Sequence, residues 1–226
     1  MLRSTAWAVI DCLEACRPRL AIVENVVEFK DWECMPAWEL ALELMGYSVT
    51  SQVLTASMWG VGQRRRRIFY VAHLGDPISV SDPEGVDETG VLDVFDPDAS
   101  GWRSIATMSQ AKPGAKYKSA GDKARISNER RRGELGHGQH TNYGAWGLDP
   151  SRPCPTITTC PAHLFWTRGG EYRLWTDLEL LRAMSFPDTY DLCGSTRAEA
   201  ARLIGNAVPP KLGAGLIKSV IGQAGC

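Results

Sequence analysis

An unbroken apolar run, Leu20-Ala21-Ile22-Val23, ends abruptly in an acid and an amide, Glu24-Asn25. A short run of this kind, rich in β-branched residues, predicts a strand buried on both faces, the parallel-sheet type. In open α/β sheets ligands bind beyond the carboxyl ends of such strands, and Glu24 falls there. A carboxyl held half out of water has its pKa pushed up and can donate or share a proton near neutrality. One acid after one strand also describes a carboxylate that caps a helix or faces solvent, and this stretch alone favours that plainer reading.

The flanking segments fit an α/β pattern. Ser4 can cap a helix carrying Trp7, Ile10 and Leu13, which stops near Arg17-Pro18 because proline disfavours helix in the residue before it. Pro36 opens a second helix that Gly46 ends. Strands are expected at about 20–26, 48–55 and 67–73, the last two antiparallel. Near the C-terminus two helices are expected, one over about 176–185 and one from Pro209 or Pro210 through Leu212, Leu216 and Val220.

Composition excludes little. Of 226 residues 44% are hydrophobic and 23% charged, ordinary values for a water-soluble domain. No apolar run is long enough to span a membrane and no basic-then-apolar signal opens the chain, so a cytoplasmic location is the default. The seven cysteines are scattered without CxxC spacing, which argues against a zinc site, so no metal is expected. The net charge of −1 conceals an asymmetry: eight acids and no Lys or Arg from Asp76 to Asp98, then eight basic residues against two acids from Lys112 to Arg132. The acidic stretch reads as a linker or solvated face. The basic block is a solvated face or a surface for a phosphate backbone.

Four consecutive arginines, Arg64 to Arg67, stand immediately before Ile68-Phe69-Tyr70-Val71-Ala72. Their planar donor forks suit phosphate or a base edge, and in a strand alternate arginines point to opposite sides. Glu24-Asn25-Val26 followed by Gln63-x-Arg65-x-Arg67 resembles the cytosine-C5 DNA methyltransferase family. Tyr172 to Glu179 with Met184-Ser185-Phe186-Pro187 resembles its penultimate motif, and Gly205-Asn206-Ala207-Val208-Pro209-Pro210 matches its last motif. These four motifs run in the family's order through nearly the whole chain apart from its variable middle.

The resemblance implies the second half of a Rossmann-like, S-adenosylmethionine-dependent methyltransferase sheet with an inserted target-recognition domain. The implied division is 1–74 for the catalytic α/β part, 75–170 for target recognition and 171–226 for helices returning to the catalytic part. The implied reaction moves a methyl group from S-adenosylmethionine to C5 of a cytosine flipped out of duplex DNA, as in restriction–modification. Glu24 would act at N3 of the base, Asn25 would hold its loop or touch the base edge, and Arg65 and Arg67 would anchor the extruded nucleotide. Asn206 and Ala207 would line the cofactor pocket. Gln63, Arg64, Arg66, Lys116, Lys118, Arg130, Arg131, Arg132 and Arg173 would meet DNA, and His137, Gln139, His140 and Asn142 are candidate base readers or part of a hydrated loop.

Two family features are missing: the Gly-rich cofactor turn after a first strand, and the Pro-Cys-Gln nucleophile loop. Cys154, between Pro153 and Pro155, lies on the wrong side of the arginines in chain order and is given no catalytic role. The chain therefore reads as the C-terminal part of a methyltransferase, competent only with an N-terminal fragment or subunit. A non-catalytic DNA-binding remnant or specificity subunit is the alternative, and methylation of RNA a third reading. One edge of strand 20–26 is expected to lack its neighbour.

Overall fold

The computed structural model describes residues 5–104, 136–141, 144–159 and 164–225, with backbone alone for 136–141 and 144–148. The basic block from Lys112 to Arg132, with Lys116, Lys118 and Arg130 to Arg132, lies outside the described residues, as does Asn142.

A first sheet is built from β1 (Leu20–Asn25), β2 (Ser48–Thr55) and β4 (Arg66–His73), in the order β1-β4-β2 with both pairings antiparallel. β4 is central and antiparallel to β2, the pairing expected of these two strands, and β1 has no second neighbour among the described residues. β1 has a core on each face, as expected, but the expected full burial and parallel pairing are not found. All six of its residues are only partly buried and its one neighbour is antiparallel. An edge strand with covered faces but an open flank retains solvent contact along its whole length.

Period-two alternation assigns the two faces of this sheet. Ile68, Tyr70 and Ala72 join Ala21 and Val23 in a core with α1 (Thr5–Cys16) and α2 (Met35–Leu44). Phe69 and Val71 join Leu20 and Ile22 in a second core under α5 (Pro210–Ala224). The first core is aromatic: Trp38 meets Tyr70 edge-on at 5.3 Å, and its indole donates to the Ala6 carbonyl at 2.8 Å, tying α1 to α2. On the other face Gly215 admits Trp59, since a Cβ there would come within 2.6 Å of the indole Cζ3.

A second, five-stranded sheet has the order β5-β10-β9-β6-β7, from Arg103–Ser104, Glu171–Leu174, Leu164–Arg168, Gly136–Thr141 and Gly144–Leu148 respectively. It packs on α3 (Asp177–Ala183) and α4 (Arg197–Asn206) through Trp166, Trp175, Leu180 and Ile204. Both helices begin with a capping box, Thr176 with Glu179 and Thr196 with Glu199. The C-terminal region thus holds three helices where two were expected. The missed α4 carried a readable Thr-x-x-Glu signal at its start.

Two short strands join the sheets. β3 (Gln63–Arg64) pairs in parallel with β8 (Cys154–Pro155). Close by, the Val91 amide donates to the Pro150 carbonyl at 3.1 Å. The acidic stretch expected to be a linker or solvated face is in part a strap across the first sheet. Asp82 accepts from the Thr55 amide at 2.9 Å and from the Trp59 indole at 2.8 Å.

Candidate active site

Register brings the acid and the arginines together. Glu24 lies opposite Phe69, so Arg67, two residues earlier on the antiparallel β4, is its diagonal neighbour on the same face. Arg67 Nε contacts Glu24 Oε1 at 3.0 Å, with side chains 15% and 24% exposed. That partial burial leaves the pair reachable at the sheet's end while removing much of its water. Burial pushes the Glu24 carboxyl up from its ordinary value, and the charges of Arg67 and Arg65 pull against that shift without cancelling it. The site therefore favours a proton on Glu24 more than water does. Asn25 holds the turn that follows, its Oδ1 accepting from the Val26 amide at 2.9 Å.

The arginine run alternates as its strand geometry requires. Gln63 and Arg65 are buried, Arg64 and Arg66 exposed, and Arg67 half-buried. Arg65, expected to grip the nucleotide, instead points inward at 1% exposure. Its guanidinium donates to the Gly205 carbonyl at 2.9 Å and the Ile157 carbonyl at 3.3 Å. Burial and the like charge of Arg67 push it down to about 10, with Glu24 opposing, which leaves it cationic at neutral pH. Gln63, expected at DNA, is equally interior, accepting from the Ile157 amide at 3.0 Å and donating to Met184 Sδ at 3.0 Å.

These inward side chains are the joint of the molecule. Gly205 belongs to that joint because a Cβ would lie 2.6 Å from the Thr158 carbonyl oxygen, so only glycine lets α4 approach residues 157–159. The following Asn206 is exposed and Ala207 half-buried. Arg173, also expected at DNA, is 2% exposed and forks onto the fully buried Glu179 at 2.8 Å through both terminal nitrogens. It also donates to the Asp96 carbonyl at 2.7 Å and lies over the Phe95 and Trp102 rings. A guanidinium so enclosed holds the second sheet to α3 and does not face a ligand. Arg65, Gln63 and Arg173 thus depart from expectation for one reason: desolvation was compensated by partners that no local pattern displays.

One open groove of about 500 Å³ runs along Arg19, His73 and Gln223, and another of about 520 Å³ along Arg64, Arg152 and Thr156. Gly62, in the Gly60-Val61-Gly62 turn before β3, packs against Gly90, whose carbonyl oxygen would be 3.2 Å from a Cβ at Gly62. Cys154 is fully buried and its thiol is pushed up by burial, the opposite of an activated nucleophile. Among the described residues no cluster of three His, Cys, Asp or Glu could hold a metal ion, and no helix is long and apolar enough to cross a membrane.

Known proteins resemble the chain throughout its length. It is 28% identical over 220 residues to the Type II methyltransferase M.AplI of Arthrospira platensis, covering 93% of this chain but 59% of that protein. The chain thus spans little more than half the length of that relative. Among solved structures, a prophage-encoded E. coli protein described as a DNA modification methyltransferase shares 20% identity at a TM-score of 0.66, covering 99% of this chain and 76% of that one. A DNMT2 variant of Spodoptera frugiperda shares 15% at 0.62, covering 95% and 70%. These likenesses establish an α/β fold of the methyltransferase type. The profile of C-5 cytosine-specific DNA methylases matches residues 3–222, and the chain belongs to that family.

Proposed function

We infer that this chain is the base-handling part of a DNA cytosine-5 methyltransferase, acting on a cytosine extruded from duplex DNA, as in host-site methylation accompanying a restriction enzyme. The observation that carries this reading is the Glu24–Arg67 pair at the carboxyl end of β1, with Glu24 biased toward its protonated form. Addition of a nucleophile at C6 of cytosine builds negative charge toward N3. A carboxyl that hydrogen-bonds or protonates N3 stabilises that adduct and makes C5 nucleophilic. Arg67 orients the carboxyl, and its guanidinium is near enough to the base site to offset part of the cost of unstacking. Arg65 acts from behind, fixing the β3–β4 junction to the Gly205 and Ile157 backbone.

The nucleophilic thiolate and most of the cofactor cradle belong to a segment outside this sequence, carried on the same polypeptide or supplied as a separate chain. S-adenosylmethionine supplies the methyl group in this family's chemistry. Asn206, exposed where α4 gives way to α5, would contribute to its site from this side.

Complementation tests the reading. Transfer of a tritiated methyl group to duplex DNA is measured for this chain, for a family fragment carrying the Gly-rich turn and the Pro-Cys-Gln loop, and for the mixture. The expected result is transfer by the mixture alone. A mixture that binds DNA without methylating it supports the non-catalytic reading, and transfer by this chain alone overturns the division of labour.

A further inference from the structure

Arg64 is the most exposed member of the arginine run whose ion pair is described, yet it is not free. Its guanidinium forks onto Glu88: Nε lies 3.1 Å from Oε1, and Nη2 forms an ion pair with Oε2, with side-chain exposures of 55% and 21%. Glu88 belongs to the acidic stretch and is fixed where it stands. Ser57 Oγ donates to its Oε1 at 2.7 Å, the next amide, of Thr89, reaches the Ser57 carbonyl, and the Val91 amide reaches Pro150. Arg64 by contrast is fixed at its backbone only, where its carbonyl accepts from Thr156 Oγ1 at 3.0 Å. Its side chain borders the 520 Å³ groove, and Arg152 borders it too. Asp149 in the same groove already accepts from the Ser151 amide and hydroxyl at 3.0 and 2.7 Å. Both guanidiniums help to hold the Glu88 carboxyl below its ordinary range.

Two forked donors on a fixed carboxylate are the same two donors that fork a phosphate. An exposed ion pair is worth at most about 1 kcal/mol, so a phosphate displaces such a carboxylate readily. We propose that Glu88 occupies, in the DNA-free protein, the place of a DNA backbone phosphate, and that Arg64 with Arg152 forms a phosphate subsite in the groove they line. On binding, Arg64 exchanges Glu88 for the phosphate while Glu88 stays where Ser57 holds it. This inference rests on the reading that the chain binds duplex DNA.

The exchange leaves a thermodynamic signature. A phosphate neutralised by a free arginine releases about 0.9 of a counterion. A phosphate neutralised by Arg64 releases the same, but the abandoned Glu88 takes a cation up, so the net release is near zero. Binding of a 20-base-pair duplex is followed by fluorescence anisotropy across a salt series for the full chain, Glu88→Gln, Asp87→Asn, Glu88→Gln with Arg64→Ala, and Arg152→Ala. Glu88→Gln is expected to steepen the slope of log affinity against log salt by about 0.9 and to tighten binding at low salt. Adding Arg64→Ala is expected to restore the original slope, and Arg152→Ala to shallow it. Asp87, an exposed neighbouring acid, reports the effect of charge alone. An unchanged slope in Glu88→Gln, an equal change in Asp87→Asn, or a steep slope that survives Arg64→Ala overturns the exchange. Failure of every variant to bind duplex overturns the DNA reading along with it.

Discussion

Glu24 and Arg67 were named in the sequence through the family resemblance of Glu24-Asn25-Val26 and Gln63-x-Arg65-x-Arg67, whereas the strand end alone favoured a plain surface carboxylate. The register of β1 on β4 brings the two side chains into contact. Glu24 also yields the sharpest expectation. In the complemented enzyme, Glu24→Gln should lower methyl transfer by about 10²-fold or more, the usual span of general acid catalysis, while DNA affinity in an anisotropy titration stays within about twofold. The pKa shift adds a second expectation with a definite sign. A carboxyl raised by folding contributes stability that is fully present below its unfolded pKa and is lost as pH rises through the folded one. The urea midpoint of the native chain should therefore fall relative to Glu24→Gln as pH climbs above about 4.5. Arg65 and Gln63 were not legible: their partners at Ile157 and Gly205 are 92 to 140 residues away, and an arginine's burial is decided by such partners alone.

At the scale of elements, runs and caps were readable and their surroundings were not. β4 followed from its apolar run and α5 from its prolines, whereas α4 carried a capping box with little apolar patterning to draw attention. The β10–α3 connection shows how much one unseen pairing contributes. Arg173, Glu179 and the Asp96 backbone form one desolvated unit beneath Trp102. Removing one partner strands the other's charge, so Arg173→Met should cost about 3–5 kcal/mol in urea unfolding. Converting Glu179 to Leu in the same chain should recover part of the loss, which separates ionic stranding from lost volume. A midpoint unmoved by Arg173→Met would mean that Glu179 finds water there.

At the scale of the whole molecule, two sheets are sewn together by β3 and β8, by Arg65 and by Gly205, so the site and the second sheet move as one body only while that seam holds. On the first sheet's other side β1 has no further neighbour among the described residues. In an antiparallel edge strand about half of the backbone groups point away from the neighbour, and those of β1 should exchange amide hydrogen rapidly in the isolated chain. Adding the complementary fragment should protect them, with no such change in β4, as read by mass spectrometry of exchanged peptides. Persistent fast exchange in an active mixture would mean that the complement docks elsewhere. The open flank of β1 also sets a race during synthesis. Pairing with a second copy of itself rises with the square of the chain's concentration, whereas pairing with a rightful complement rises with the product of both. Where the complement proposed above is a separate chain, excess production of this chain over it would divert it toward edge-to-edge aggregates, so the ratio of the two would matter more to yield than the amount of either.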